Sequence, residues 1–410
     1  MSSTECESEA RSAIRVSRVL FYLFFPGGGI GKYTHTLLPY LARFPELRIE
    51  LACLPSYHWR SEATYQVWPE LREIGHSWSL QRRIRFLIGQ FVNPLRLCNR
   101  IEETSADIVH LCNLNQLTYP WWRRPLRRTG AKVVATVHTV RREKGVLNPT
   151  YENHELGRFY RDADALFVHS RAQAEGLQEF AEVDGNKVHI VPHGPYDYGV
   201  ASGDTAKLRR KYGLPGDKQV ALCFGLMRDD KNVDRLLKTL PRNRSALHLV
   251  IAGQFGTRIK KTVGFYKALI RELGIAKSVG FLNRYIPDEE VPDLFALCDW
   301  VAMPYSRTFT SQSGVLNLAA YYERPVLLSA APTLVETVAR DDIGIVVDAD
   351  NQTALEDGVR AMIDRVRNGY RHAFESYRRR YSWEENARRT AAVYRDLIGG
   401  SPTVRNPTGQ

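Results

Sequence analysis

Short runs of Val, Ile, Leu and Phe alternate along the chain with stretches whose apolar residues recur at helical spacing. The runs are RVLFYLFF, IELACLP, DIVHLC, KVVATVH, ALFVHS and KVHIVP, followed by QVALCFG, LHLVIAG, WVAMP, RPVLLS and GIVV. Continuous apolar runs separated by amphipathic segments predict parallel strands covered by helices on both faces. The pattern is that of an α/β protein with two doubly wound units in series. The first is expected over 15–195, ending near Val191-Pro192-His193-Gly194, and the second over 216–381. The stretch from Pro195 to Asp217, rich in Gly, Ser, Asp and Tyr, reads as a linker. After the second unit, Ser382 with Glu384 and Glu385 behind it predicts the start of a closing helix over 382–398.

A chain of 410 residues with 44% apolar and 25% charged positions suits two globular cores. Its six cysteines lie far apart, without metal-ligand spacing, as expected of reduced thiols in a cytosol. The first residues carry acidic side chains and no apolar stretch of the signal-peptide kind, so a frayed tail is expected there, as it is from Gly399 onward. No apolar run reaches the roughly 18 to 20 residues that span a bilayer. A cytoplasmic protein, at most peripheral to the inner face of the membrane, is the expectation. The net charge of +12 favours anionic partners. No zinc finger, RNP sequence or helix-turn-helix pattern directs that charge to nucleic acid.

Four stretches carry candidate chemistry. After the first strand, Pro26-Gly27-Gly28-Gly29-Ile30-Gly31-Lys32-Tyr33 leads into a helix, where glycines either make a tight turn or let backbone N–H groups approach an anion. It is no P-loop, because Pro26 would stand at the first glycine and Tyr33 at the Ser/Thr position. His138 closes the strand KVVATVH, where a polar side chain either faces a ligand cleft or is a satisfied structural residue. Arg228 and Lys231 follow Phe224-Gly225 and are either a solvated basic loop or a cationic pair for a diphosphate. Ser311, Gln312, Ser313 and Gly314 crowd the start of the helix VLNLAA, as caps or as an anion site. Asp162-Ala163-Asp164 and Asp348-Ala349-Asp350 imitate a D-x-D metal motif but flank strands as turn carboxylates would, so no metal site is expected.

In order and spacing, GGGIGKYTHTLLPYL, DIVHL, VVATVHT, ADALFVHS, KVHIVPHG, FGLMRDDKNVDRLL, LHLVIAG, YIPDEEVPDLFALCDWVAMPY, SQSGV, RPVLLS and SWEENARRTAAVYRDL resemble the retaining family 4 glycosyltransferases over nearly the whole chain. The resemblance implies a GT-B fold, two Rossmann-like domains facing a central cleft, with the closing helix packing back on the first domain. It implies transfer from a nucleoside diphosphate sugar, with no further cofactor, in polysaccharide, lipopolysaccharide or glycolipid synthesis. It places Gly28, Gly29 and Gly31 near donor and acceptor, His138 by the transferred sugar, and Arg228 and Lys231, next to Gly225, on the diphosphate. The family's usual pair of glutamates is replaced by Thr310 and Leu318, so Ser311, Ser313 and Gly314 are expected to serve the donor instead. Glu336 matches a later family glutamate. The loss of the pair keeps two alternatives open: a catalytically silent GT-B scaffold, and another GT-B enzyme such as an epimerase or phosphorylase.

A membrane surface is a further expected partner, alongside a saccharide or lipid-linked acceptor. In Leu80 to Arg100 the residues Ile84, Leu87, Ile88, Phe91, Val92 and Leu95 recur at helical spacing beside Arg82, Arg83 and Arg85, with Pro94 expected to break or kink the helix. Pro120-Trp121-Trp122-Arg123-Arg124-Pro125-Leu126-Arg127-Arg128 sets two indoles beside four guanidinium groups. The alternative is a stripe packed on the first sheet with solvated arginines.

Overall fold

The computed structural model describes residues 15–73, 80–141, 148–256, 260–307, 309 and 313–399. Among the described residues thirteen strands form two sheets: β1 (Ser17–Leu23), β2 (Leu47–Cys53), β3 (Gln66–Trp68), β4 (Ile108–Leu111), β5 (Lys132–Thr136), β6 (Ala165–Val168) and β7 (Val188–Ile190), then β8 (Gln219–Phe224), β9 (Leu247–Ala252), β10 (Val279–Leu282), β11 (Trp300–Met303), β12 (Val326–Ser329) and β13 (Gly344–Val347). Every apolar run singled out above overlaps one of them. The two that it missed, β3 and β10, are edge strands.

The first sheet has the order β3-β2-β1-β4-β5-β6-β7 and the second β10-β9-β8-β11-β12-β13. Parallel registers join β1 to β2 and β4 in the first sheet and β8 to β9 and β11 in the second. In each sheet the chain starts in the middle, winds outward, then returns to the other side of its first strand. The order therefore reverses between β1 and β4 and between β8 and β11, and these are the switch points at which open α/β sheets hold ligands.

Contacts divide the chain into two compact units: 1–137 with 144–166 and 387–410, and 138–143 with 167–386. In the first, Tyr394 from the closing helix Trp383–Gly399 reaches His110 on β4 at 2.5 Å, and His110 also meets Thr136 at 2.7 Å. In the second, the start of the same helix is held by Trp383, whose Nε1 donates to the Pro195 carbonyl at 2.6 Å. The linker stretch is not wholly irregular: Asp204 accepts from the Lys207 N–H and caps a short helix, Thr205–Lys211.

The helix Leu80–Thr104 continues past Pro94 instead of ending there. A proline leaves the carbonyl four residues back without its helical donor. That carbonyl, on Gln90, accepts from the Thr118 hydroxyl at 2.6 Å instead. A hydroxyl from 24 positions further along replaces the lost bond.

Candidate functional site

At the first switch point the chain leaves β1 through Phe24 and Phe25, which Asn113, just beyond β4, holds from both sides: it accepts from the Phe24 N–H at 3.1 Å and donates to the Phe25 carbonyl at 3.1 Å. The three glycines then differ in their reasons. A Cβ on Gly31 would lie 1.7 Å from the Pro26 carbonyl oxygen, so only glycine lets the turn close. Gly28 has φ +69°, a conformation that glycine adopts without strain. Gly29 meets no steric demand, and it and Gly28 are exposed at the start of a helix that no side chain caps.

At the second switch point β8 is followed by Gly225, at φ +89°. The Lys231 side chain is buried and folds back on this turn, its Nζ donating to the Phe224 carbonyl at 2.6 Å and lying 5.3 Å from the centre of the Tyr305 ring. The position that a Cβ on Gly225 would take is 3.4 Å from Lys231 Nζ and 3.5 Å from a methyl group of Val315. Gly225, the ammonium of Lys231 and the start of the helix Gly314–Tyr321 thus converge. Ser313 stands at the N-cap of that helix, buried, without a side-chain capping bond. An ammonium has three donors and one is used here, so a phosphate oxygen can take another.

Arg228 is placed differently. It is exposed, pairs with Asp230 at 2.9 Å and lies 5.6 Å from the Phe309 ring centre. The two cations are therefore unequal: Lys231 is buried and fixed by the fold, whereas Arg228 is exposed beside a carboxylate. Its worth in water is small, as for any exposed ion pair.

His138, two residues beyond β5, belongs to a row of imidazoles in the second unit. Its Nδ1 is 3.4 Å from His169 Nε2, and His169 Nδ1 is 3.2 Å from the Val191 carbonyl oxygen. The rings of His169 and His193 are 5.5 Å apart. His193 Nδ1 meets Asn317 Nδ2 at 2.9 Å, and Asn317 Oδ1 accepts from the Tyr377 hydroxyl at 2.5 Å. Gln173 ties the row together, accepting from the His169 N–H at 2.8 Å and donating to the His138 carbonyl at 3.3 Å. Burial lowers all three pKa values: His138 to about 3, with His193 adding a little, His193 to about 4, and His169 well below its ordinary value. His169 and His193 escaped the sequence reading. The signal was present, since β5, β6 and β7 are each followed by a histidine within three residues.

Beyond the carboxyl ends of β9 and β10 lies a cavity of about 590 Å³, lined by Gln254, Phe255, Gly256, Thr262, Val263, Gly264, Asn283, Arg284 and Tyr285. A backbone bond from Gly256 to Met227 joins its wall to the loop that carries Arg228.

Two family models match this chain in succession. Residues 27–195 match "Glycosyltransferase Family 4" and residues 204–388 match "Glycosyl transferases group 1". The chain carries a family 4 glycosyltransferase domain followed by a group 1 domain. The first of these begins at Gly27, in the glycine loop, and the second at Asp204. Relatives called D-inositol 3-phosphate glycosyltransferase include one from Acidothermus cellulolyticus, 27% identical over 68% of this chain and 65% of the relative. One from Mycobacteroides abscessus is 25% identical over 70% of this chain and 64% of its own. The match spans less than two thirds of the length of these relatives. Among solved structures, sucrose-phosphate synthase from Thermosynechococcus elongatus superposes with a TM-score of 0.74 at 15% identity, covering 94% of this chain and 100% of that one. Anabaena HepE in complex with UDP gives 0.71 at 15% identity, covering 92% and 99%. The fold is GT-B.

Within the group 1 domain, Ser311 and Thr310 lie outside the described residues, as does the side chain of Glu336 in the helix Pro332–Asp341. Leu318, which the resemblance sets at the place of one of the replaced glutamates, is buried in the helix Gly314–Tyr321 and contributes packing. The two D-x-D imitations are tied into structure. Asp162 accepts from Tyr119 and pairs with Arg123 and Arg127, and Asp164 accepts from the Val133 N–H. Asp348 pairs with Arg307, and Asp350 accepts from Asn232 and the Arg307 N–H.

Proposed function

We propose that this protein transfers a sugar from a nucleoside diphosphate sugar to an acceptor with retention of anomeric configuration, and that it does so without a metal ion. The observation that carries the reading is the convergence of Lys231 Nζ, Gly225 and the start of the helix Gly314–Tyr321 at the switch point of the second sheet. A buried ammonium beside a helix N-terminus favours negative charge that develops on a leaving diphosphate. The cavity beyond β9 and β10 has the volume for a nucleoside, with the exposed Tyr285 ring at its edge. Solved complexes of Anabaena HepE with UDP and with UDP-glucose support a uridine donor as the first to test. His138 then meets the transferred sugar, and Ser313 with the Gly314 backbone serves the donor where the usual carboxylates are absent. The relatives' names point to a phosphorylated polyol as one acceptor to include.

The test is release of nucleoside diphosphate by purified protein offered UDP-glucose, UDP-galactose and GDP-mannose with and without saccharide acceptors. One observation favours a silent scaffold instead: Leu318 is buried and apolar at a position of the missing carboxylates. A scaffold binds nucleotide without turning it over, so the same assay separates the two.

The acceptor is proposed to be presented at an anionic membrane surface. Among the described residues no helix is long and apolar enough to cross a membrane. The helix Leu80–Thr104 does, however, leave Ile84, Leu87, Phe91 and Leu95 exposed on one stripe, and Trp121, 60% exposed, packs edge-on against Phe91. A row of apolar side chains turned to solvent with an indole beside it suits the headgroup region. Trp122 is buried and Arg123 and Arg127 are paired with Asp162, and among the described residues Arg85, Arg124 and Arg128 are exposed.

A further inference from the structure

We infer that Tyr305 and Phe309 are positioning residues for the diphosphate: a buried pair of rings that holds the two cations of the site, Lys231 and Arg228, without cancelling their charge. The inference rests on the role proposed above for those cations and adds the part of the site that orders them.

Both rings come from the chain beyond β11, Tyr305 two residues after the strand and Phe309 six. Both are buried, and their centres lie 4.7 Å apart at an angle of 50°. Each has one cation over it: Lys231 Nζ is 5.3 Å from the centre of Tyr305, and Arg228 Cζ is 5.6 Å from the centre of Phe309. Both distances fall within the roughly 6 Å over which the negative face of a ring attracts a cation. Cation, ring, ring and cation thus form one row beside the turn at Gly225.

The segment that carries the rings is tied to the segment that carries the cations. The Ser306 N–H donates to the Asp230 carbonyl at 2.7 Å, and the Phe309 N–H to the Ser306 carbonyl at 2.9 Å. The Arg307 N–H donates to the Asp350 carboxylate at 3.0 Å, and the Arg307 guanidinium pairs with Asp348 at 2.6 Å. Asp350 also accepts from Asn232, the residue after Lys231, at 3.1 Å. The stretch Asp348-Ala349-Asp350, which imitates a metal motif, therefore anchors the rings against the cations.

The two partners of Arg228 act differently on its charge. Asp230 offers an opposite charge, which offsets that of the guanidinium. An aromatic face carries a quadrupole and no net charge, so a cation resting on it keeps its full charge for an anion. Lys231 has a second hold in the Phe224 carbonyl, so Phe309 is the ring whose loss reads out most cleanly.

The experiment is titration calorimetry of the full chain with UDP and with GDP, comparing wild type, Lys231→Ala, Arg228→Ala, Phe309→Leu and the double variant of Arg228→Ala with Phe309→Leu. Leucine keeps an apolar side chain in place and removes the π face. Phe309→Leu is expected to weaken binding by about two- to fivefold, the worth of a cation held over a ring, and to cost nothing further once Arg228 is alanine. A residue that only fills space would add its loss to that of Arg228→Ala. Additive losses, or full affinity in Phe309→Leu, overturn the inference while a loss in Lys231→Ala leaves the reading of the site standing. Binding of neither nucleotide, or full affinity in Lys231→Ala, sinks that reading and the inference with it. A spectroscopic measurement on the wild type does not depend on the folding of any Phe309 variant: the side-chain protons of Arg228 are expected to be shifted upfield by the ring current of Phe309 and to show nuclear Overhauser contacts to that ring. Unshifted protons without such contacts overturn the inference as well.

Discussion

Lys231 Nζ lies 2.6 Å from the carbonyl oxygen of Phe224, the last residue of β8. That bond holds an ammonium over the turn at Gly225 before any ligand arrives, whereas Arg228 is paired with Asp230. The two cations should therefore respond differently to removal. Lys231→Ala is expected to weaken nucleoside diphosphate binding by about 10- to 100-fold, the worth of a charge-assisted bond made from a fixed position. Arg228→Ala is expected to cost clearly less, because that side chain is exposed and its charge is already partly offset by Asp230. Titration calorimetry with the nucleoside diphosphate ranks them, and equal losses in two folded variants would show that Arg228 carries as much of the site as Lys231.

His138→Ala should depress turnover while leaving nucleoside diphosphate affinity nearly intact, since the imidazole is assigned to the sugar and not to the diphosphate. Steady-state rates beside calorimetry give the split. A parallel fall in both would assign the residue to holding the fold together with His169.

The histidine row also makes stability depend on pH. A histidine whose folded pKa is depressed binds its proton more readily when unfolded, so the folded state is favoured fully above the unfolded value near 6.5. That stability is lost as pH falls from about 6.5 toward the folded values, about 4 for His193 and about 3 for His138. With His169 shifted the same way, up to three protons are taken up on unfolding, a slope of at most about 4 kcal/mol per pH unit. Denaturant midpoints at pH 7, 6 and 5 should fall steadily in the wild type and less steeply in His193→Asn. Flat midpoints would mean that the three rings are not neutral in the fold.

Binding to vesicles is expected to depend on the apolar stripe and on the exposed arginines alone. A variant with Leu87→Ser, Phe91→Ser and Trp121→Ala, and another with Arg124→Glu and Arg128→Glu, should each lose most co-sedimentation with anionic vesicles, and salt should release the wild type. Arg123→Glu should instead lower thermal stability, because it breaks the pairing with Asp162. Undiminished sedimentation of the stripe variant would exclude this face as the dock.

Much of this architecture is legible in the sequence because buried parallel strands must be apolar throughout, which is how β1 and β9 announce themselves. The loops after β1 and β8 are legible for a related reason: glycine is retained where backbone approaches backbone, as at Gly31 against Pro26. What depends on distant partners is not legible. Nothing local to Pro94 shows that Thr118 will serve the carbonyl of Gln90, and nothing near Arg228 shows which way its side chain turns. His169 and His193 stand out only once the strand order has brought the ends of successive strands together. The burial of Trp122 but not Trp121 was readable, since Tyr119, Trp122 and Leu126 lie three and four residues apart on one helical face.

The proposed activity is metal-independent, retaining transfer from a nucleotide sugar bound at Lys231 and the helix starting at Gly314. The measurement that tests it most directly is proton NMR of the reaction of purified protein with a nucleotide sugar and acceptor in the presence of EDTA, read alongside Lys231→Ala. The expected result is a product with the anomeric configuration of the donor, formed in EDTA by the wild type and strongly reduced in the variant. Inverted product, turnover that returns only when magnesium or manganese is added, or a variant as active as the wild type would contradict it.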